Sequence, residues 1–103
     1  MKRTEGLAVA RRFRDALRAG GYPVQRVVLF GSVARGQATE GSDIDIAVVC
    51  RPFALTRHEE NMAFRRVRRG IDVRIEPVSL HPDDFGSPLF ALPWEVAREG
   101  IDV

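Results

Sequence analysis

The stretch that most constrains this chain is the apolar run Val27-Val28-Leu29-Phe30, broken at once by Gly31-Ser32. Ten residues later comes the alternation Asp43-Ile44-Asp45-Ile46-Ala47-Val48-Val49. The β-branched, continuously apolar end of residues 25–30 predicts a buried strand. The alternation predicts a second strand, with Ile44, Ile46 and Val48 on one face and Asp43 and Asp45 on the other. A sheet of this kind must bury one face under helices and leave its carboxylate face accessible.

The flanking segments supply those helices. Residues 4–19 carry Leu7, Ala10, Phe13 and Leu17 at helical spacing, with Thr4 positioned to cap and Gly20-Gly21 to terminate. Residues 56–69 predict another helix, with Met62, Ala63 and Val67 toward the core and Gly70 at its end. Residues 71–76 alternate strictly and predict a third strand. Ile71, Val73 and Ile75 would face inward, and Asp72, Arg74 and Glu76 outward. After Pro77 the reading loosens. His81-Pro82-Asp83-Asp84-Phe85 suggests one helical turn, residues 88–98 a helix interrupted by Pro93, and Ile101-Asp102-Val103 a last short strand. The expected fold is α/β (α+β), a small mixed twisted β-sheet with helices packed on one face, in a single domain spanning residues 1–103.

Composition narrows the function classes. The net charge is only +2, because 14 acidic residues are interleaved with 16 basic ones, so direct nucleic-acid binding is not expected from charge. Cys50 is the only cysteine; no disulfide can form within the chain, and a buried inert thiol is expected. No apolar stretch approaches the roughly 20 residues of a membrane span, and no apolar signal core follows Met1, so a cytoplasmic location is expected. His58 and His81 have no ligand-like spacing and are expected at the surface. Trp94, with Phe90 and Leu92, reads first as core and second as an apolar patch for a partner.

The chemistry concentrates around the glycine break. A glycine directly after a buried strand lets the backbone turn tightly and approach a ligand. Ser32 adds a hydroxyl and a backbone N–H, and a helix starting there would favour a phosphate. Asp43 and Asp45 project from one strand face and can bracket hard cations such as Mg²⁺. Asp72 would add a third carboxylate if its strand neighbours theirs. Two divalent ions would then offset the mutual repulsion, activate an attacking hydroxyl and stabilise a leaving pyrophosphate. Glu76 is a further candidate ligand, and Arg74 a candidate for neutralising charge beside Asp72. Exposed Asp-x-Asp pairs are usually just solvated; it is the joint occurrence with the strand and Gly-Ser that points to a metal–nucleotide site.

Phe30-Gly31-Ser32-Val33-Ala34-Arg35-Gly36 followed by Gly41-Ser42-Asp43-Ile44-Asp45-Ile46-Ala47-Val48 resembles the signature of the nucleotidyltransferase superfamily related to DNA polymerase beta. The resemblance is to its short branch, the minimal nucleotidyltransferases (MNT). It runs from the first helix through Asp72, and the tail matches loosely. It implies the nucleotidyltransferase fold, with Asp43, Asp45 and Asp72 as catalytic metal ligands for two Mg²⁺ ions. Gly31 and Ser32 would hold phosphates, with Arg35 as an assistant. It further implies transfer of AMP from ATP to a hydroxyl, with a tyrosine of a helical HEPN-domain toxin as the expected acceptor, for which this chain would be the antitoxin. The competing readings are a binding-only antitoxin that masks the HEPN ribonuclease, and a nucleotidyltransferase acting on a small molecule or RNA.

Overall fold

A computed structural model describes residues 1–103. Helix α1 (Arg3–Ala19) leads into strand β1 (Val24–Phe30) and a single turn of helix, α2 (Gly31–Ala34). Strand β2 (Ile44–Cys50), helix α3 (Arg57–Arg68) and strand β3 (Ile75–Leu80) follow, then a short 3₁₀ helix (Pro82–Gly86), helix α4 (Ala91–Glu99) and strand β4 (Ile101–Asp102). The four strands form one mixed sheet in the order β3-β2-β1-β4. β1 runs antiparallel to β2 and β4, and β2 runs parallel to β3 through the α3 crossover.

The main core lies between the sheet and the long helices. Ala10, Phe13 and Leu17 of α1 and Phe64 of α3 pack on Val27, Leu29, Ile44, Ile46, Val48 and Ile75. The alternation of β2 therefore places its isoleucines as expected. The other face is covered in part. Val28, Phe30, Ala47, Val49 and Leu80 form a smaller cluster with Val96 of α4, and Phe85 and Leu92 pack at its margin. Trp94 and Phe90 stay exposed, at 64% and 50%, so they are not core. Because Pro93 and Val96 are the buried positions of α4, Trp94 is turned outward.

The third strand departs from the sequence pattern. It begins four residues later than expected and continues through Pro77. The Asp72 carboxylate accepts the backbone N–H of Arg74 at 2.9 Å, and Ile75 N–H donates to the Asp72 carbonyl at 3.2 Å. This local turn competes with a strand ladder. Val73 is consequently 70% exposed rather than inward-facing. Pro77 is tolerated because β3 is an edge strand, where one side needs no ladder donor.

Capping also differs between the helices. Thr56 caps α3 by accepting from Glu59 N–H at 3.1 Å. Thr4 lies inside α1, whose N-cap is Lys2, without a side-chain cap. In α3 the inward residues are Glu60, Ala63 and Phe64, while Met62 is largely exposed. A three-ring cluster of Tyr22, Phe53 and Phe64, with centroids 5.3–5.8 Å apart, closes the end of this core.

Candidate active site

The site forms where β1 ends. Phe30 is the register partner of Asp45 on the antiparallel neighbour, so the next residue, Gly31, abuts the Asp45 side chain. Gly31 has φ +74°, and a Cβ there would overlap Asp45 Oδ2 and sit 3.0 Å from its carboxyl carbon. Only glycine satisfies both demands. The break after the apolar run is thus a close approach of the backbone to a carboxylate as well as a turn. Ser32 follows in α2, half-buried beside it.

Asp45 is partly buried and Asp43 exposed. Asp43 lies immediately before β2, and its neighbour Ile44 donates its N–H to the Arg74 carbonyl at 2.9 Å. The Asp45 carboxyl is held above the usual aspartate range, first by burial and then by the negative charges of Asp43, Glu76 and Glu95, with Arg35 acting in the opposite direction. A carboxylate held up by burial and by like charges, of which Glu76 alone is paired, with Arg65 at 2.6 Å, has electrostatics that a cation would relieve. The three donor atoms that lie within 4.8 Å of one another are elsewhere, at Cys50, Glu60 and His81. The carboxylates of Asp43, Asp45 and Glu76 stand further apart.

The structure brings together some of the expected residues and separates others. Gly31, Ser32, Asp43 and Asp45 share one corner of the molecule. Asp72 sits in the turn before β3, not on the strand, and Arg74 clamps its carboxylate through Nε at 3.0 Å and Nη2 at 2.7 Å. That pairing, ahead of other effects, holds the Asp72 carboxyl below its ordinary range. The outward carboxylate on β3 itself is Glu76, the parallel register partner of Asp45. The sequence pattern already sets Glu76 outward as a further candidate ligand; Pro77 beside it marks the edge strand that carries it. Arg35 donates to Glu99 of α4 at 2.9 Å and to Gln37 at 3.2 Å, so its guanidinium is engaged in an ion pair. A groove of about 410 Å³ lies beside the carboxylates rather than on them. It runs between the start of α1 and the 39–42 loop, with Lys2 and Arg74 as its cations.

The fold and this corner together define an α/β domain in which a Gly-Ser turn meets a strand of paired aspartates. The chain belongs to the family of the nucleotidyltransferase domain, whose model matches residues 10–89. No curated protein matches the chain. Among solved structures, the chain is similar to a protein of Sulfolobus solfataricus described as a nucleotidyltransferase. That match has a TM-score of 0.66 and 23% identity, and covers 97% of this chain and 80% of the other. It is similar to a mutant of the toxin–antitoxin MntA-HpeT, with a TM-score of 0.63 and 23% identity over 90% of this chain and 69% of that one. It is also similar to a structure described as a minimal nucleotidyltransferase, with a TM-score of 0.57 and 26% identity over 100% and 97%. No helix is long and apolar enough to cross a membrane.

Proposed function

We propose that this chain transfers AMP from ATP, with Mg²⁺, to a hydroxyl of a partner protein, and that the acceptor is a tyrosine of a helical HEPN-domain toxin. The observation that carries the transfer is the contact between Gly31 and Asp45, with Glu76 in register beside Asp45. Asp43 and Asp45 would hold the divalent cations, and the donor set is all oxygen, as Mg²⁺ prefers. We assign the third carboxylate to Glu76 in place of Asp72, because Glu76 is the register partner of Asp45 on the same sheet face. Both candidates are ion-paired, Asp72 with Arg74 at 2.7 Å and Glu76 with Arg65 at 2.6 Å, so a cation would displace Arg65 from Glu76.

The cations supply charge neutralisation and Lewis acidity for phosphoryl transfer. The chain's own residues position the reactants. The left-handed Gly31 lets the Asp45 carboxylate stand against the backbone, and the Ser32 hydroxyl and backbone N–H beside it would offer a phosphate donors. The β2 ladder and the apolar face beneath it hold the aspartates rigidly. Glu76, released from Arg65, would offer an acceptor for the proton of the attacking hydroxyl. Arg35, released from Glu99, would reach phosphate.

A protein acceptor is supported by the exposed Leu89, Phe90 and Trp94, which leave a run of apolar surface around the start of α4, on the sheet face that carries Asp45. The similarity to MntA-HpeT supports a toxin as that protein.

The deciding experiment incubates the chain with α-labelled ATP, Mg²⁺ and a candidate HEPN partner, beside an Asp43→Asn/Asp45→Asn control. Label on the partner that vanishes in the control is expected. A stable complex without label would reduce the role to masking the toxin. Neither label nor complex would turn the search to small-molecule or RNA acceptors.

A further inference from the structure

At the opposite end of β2 and β3 from the aspartates lies a second polar cluster that the transfer reading does not use. Cys50 ends β2, Glu60 lies on the inner side of α3, and His81 follows β3. One donor atom from each (the Sγ, a carboxylate oxygen and a ring nitrogen) lies within 4.8 Å of the others. Cys50 is fully buried, Glu60 is 1% exposed, and the His81 side chain is 17% exposed.

We propose that Cys50, Glu60 and His81 form a site for one borderline transition-metal ion of the zinc type, with water in the fourth position on the His81 side. The donor set is one sulfur, one oxygen and one nitrogen, which suits zinc or cobalt and does not suit magnesium. The three ligands come from three elements, so their spacing is fixed by the sheet and the α3 crossover, not by one flexible loop.

The two Glu60 oxygens divide their roles. Oε2 accepts the Phe53 backbone N–H at 2.9 Å, which orients the carboxylate from outside the site. Oε1 faces inward, 2.7 Å from both His81 Nε2 and Ser79 Oγ. Ser79 Oγ in turn lies 3.5 Å from Cys50 Sγ. Burial opposes the Glu60 charge, but the hydrogen bonds from Ser79, Phe53 and His81 outweigh it and keep the carboxyl below its ordinary range. The carboxylate is therefore already in its ligating form. Cys50 is not, because burial pushes its thiol up. Binding must expel the thiol proton to solvent and also free His81 Nε2, whose proton now points at Glu60 Oε1, by a tautomer shift to Nδ1, so that the Nε2 lone pair reaches the ion. The thiolate and carboxylate together balance the two charges of the ion.

The test uses the full chain, stripped of metal, with Asp43→Asn/Asp45→Asn introduced so that cations at the other site do not contribute. Titration with Co²⁺ should give one ion per chain and a thiolate-to-cobalt charge-transfer absorption, which Zn²⁺ then displaces. Cys50→Ser should abolish that absorption. His81→Asn should weaken binding by at least about tenfold. Absence of the charge-transfer absorption in the parent, or its survival in Cys50→Ser, would overturn the site. If Cys50→Ser fails to fold by circular dichroism, the His81→Asn affinity decides, and an unchanged affinity overturns it.

Discussion

Two residues meet in one contact at Gly31 and Asp45, and each makes a distinct prediction. Gly31→Ala adds a Cβ where the Asp45 carboxylate stands and forces a left-handed backbone on an L side chain. Backbone strain alone costs about 1–3 kcal/mol. Gly21 offers the control, because its φ is +82° and nothing lies within 4 Å of its added Cβ. Gly21→Ala should therefore show the strain without the overlap. In urea unfolding, Gly31→Ala should be the more destabilised of the two and should lose transfer, while Gly21→Ala keeps it. Equal losses would mean that Asp45 moves aside freely and that its placement is not tight. Asp45→Asn tests the charge. The folded protein disfavours this carboxylate through burial and through Asp43, Glu76 and Glu95. Removing the charge should raise the thermal midpoint of the metal-free protein at neutral pH while abolishing transfer. A lowered midpoint in that metal-free comparison would mean that an unrecognised partner already neutralises Asp45.

At the scale of elements, α1, α3 and the first two strands are legible in the sequence because their patterns are regular between clear breaks, whereas Pro93 interrupts the pattern of α4. β2 shows why. Its Ile44, Ile46 and Val48 alternate with Asp45, and the structure buries all three. The third strand is misread for an equally physical reason. Residues 71–76 alternate as a strand does, yet Asp72 captures the Arg74 N–H and turns the chain. Periodicity carries no information about that side-chain hydrogen bond. Nor does it reveal that β3 lies at the edge, which is what admits Pro77. His81 was hidden for a related reason, since its partner Glu60 is distant in sequence and the pair meets only through the α3 crossover. The same four-residue shift separates Asp72 from Glu76 as the third carboxylate. Glu76→Gln should lower kcat on the order of 10²-fold or more. Asp72→Asn should leave kcat within about threefold and lower stability only slightly, because the Arg74 side of the pair is open to solvent although the Asp72 side chain is only 15% exposed. The reverse pattern, with transfer lost in Asp72→Asn and kept in Glu76→Gln, would restore Asp72 to the site.

For the whole molecule, the question is what joins the C-terminal segment, which covers part of the aspartate face, to the helical layer on the other side. Few apolar residues do so: Val96 is the only α4 side chain in the smaller buried cluster. The stronger tie is polar. Arg57, at the start of α3, holds Asp84 of the 3₁₀ helix through both guanidinium ends, with Nη2 to Oδ1 at 2.7 Å. The Asp84 side chain is only 7% exposed and also accepts the His81 backbone N–H at 2.8 Å. The Arg57 guanidinium holds the Asp84 carboxyl below its ordinary range, despite burial. Folded Asp84 therefore binds a proton less readily than unfolded Asp84. Its contribution is complete above the unfolded value of about 3.9 and disappears as pH falls through the lower folded value. Asp84→Asn should cost about 1.5–3 kcal/mol at neutral pH, the range for a hydrogen bond to a charged group. Measured by urea unfolding from neutral pH downward, the gap between parent and variant should stay constant to about pH 4 and then close. Protease cleavage near residues 86–90 should rise in the variant before global unfolding, because the segment loses its polar tie while the main core remains. A gap that persists undiminished to the lowest pH would mean that packing around Asp84, not its charge, joins the two layers.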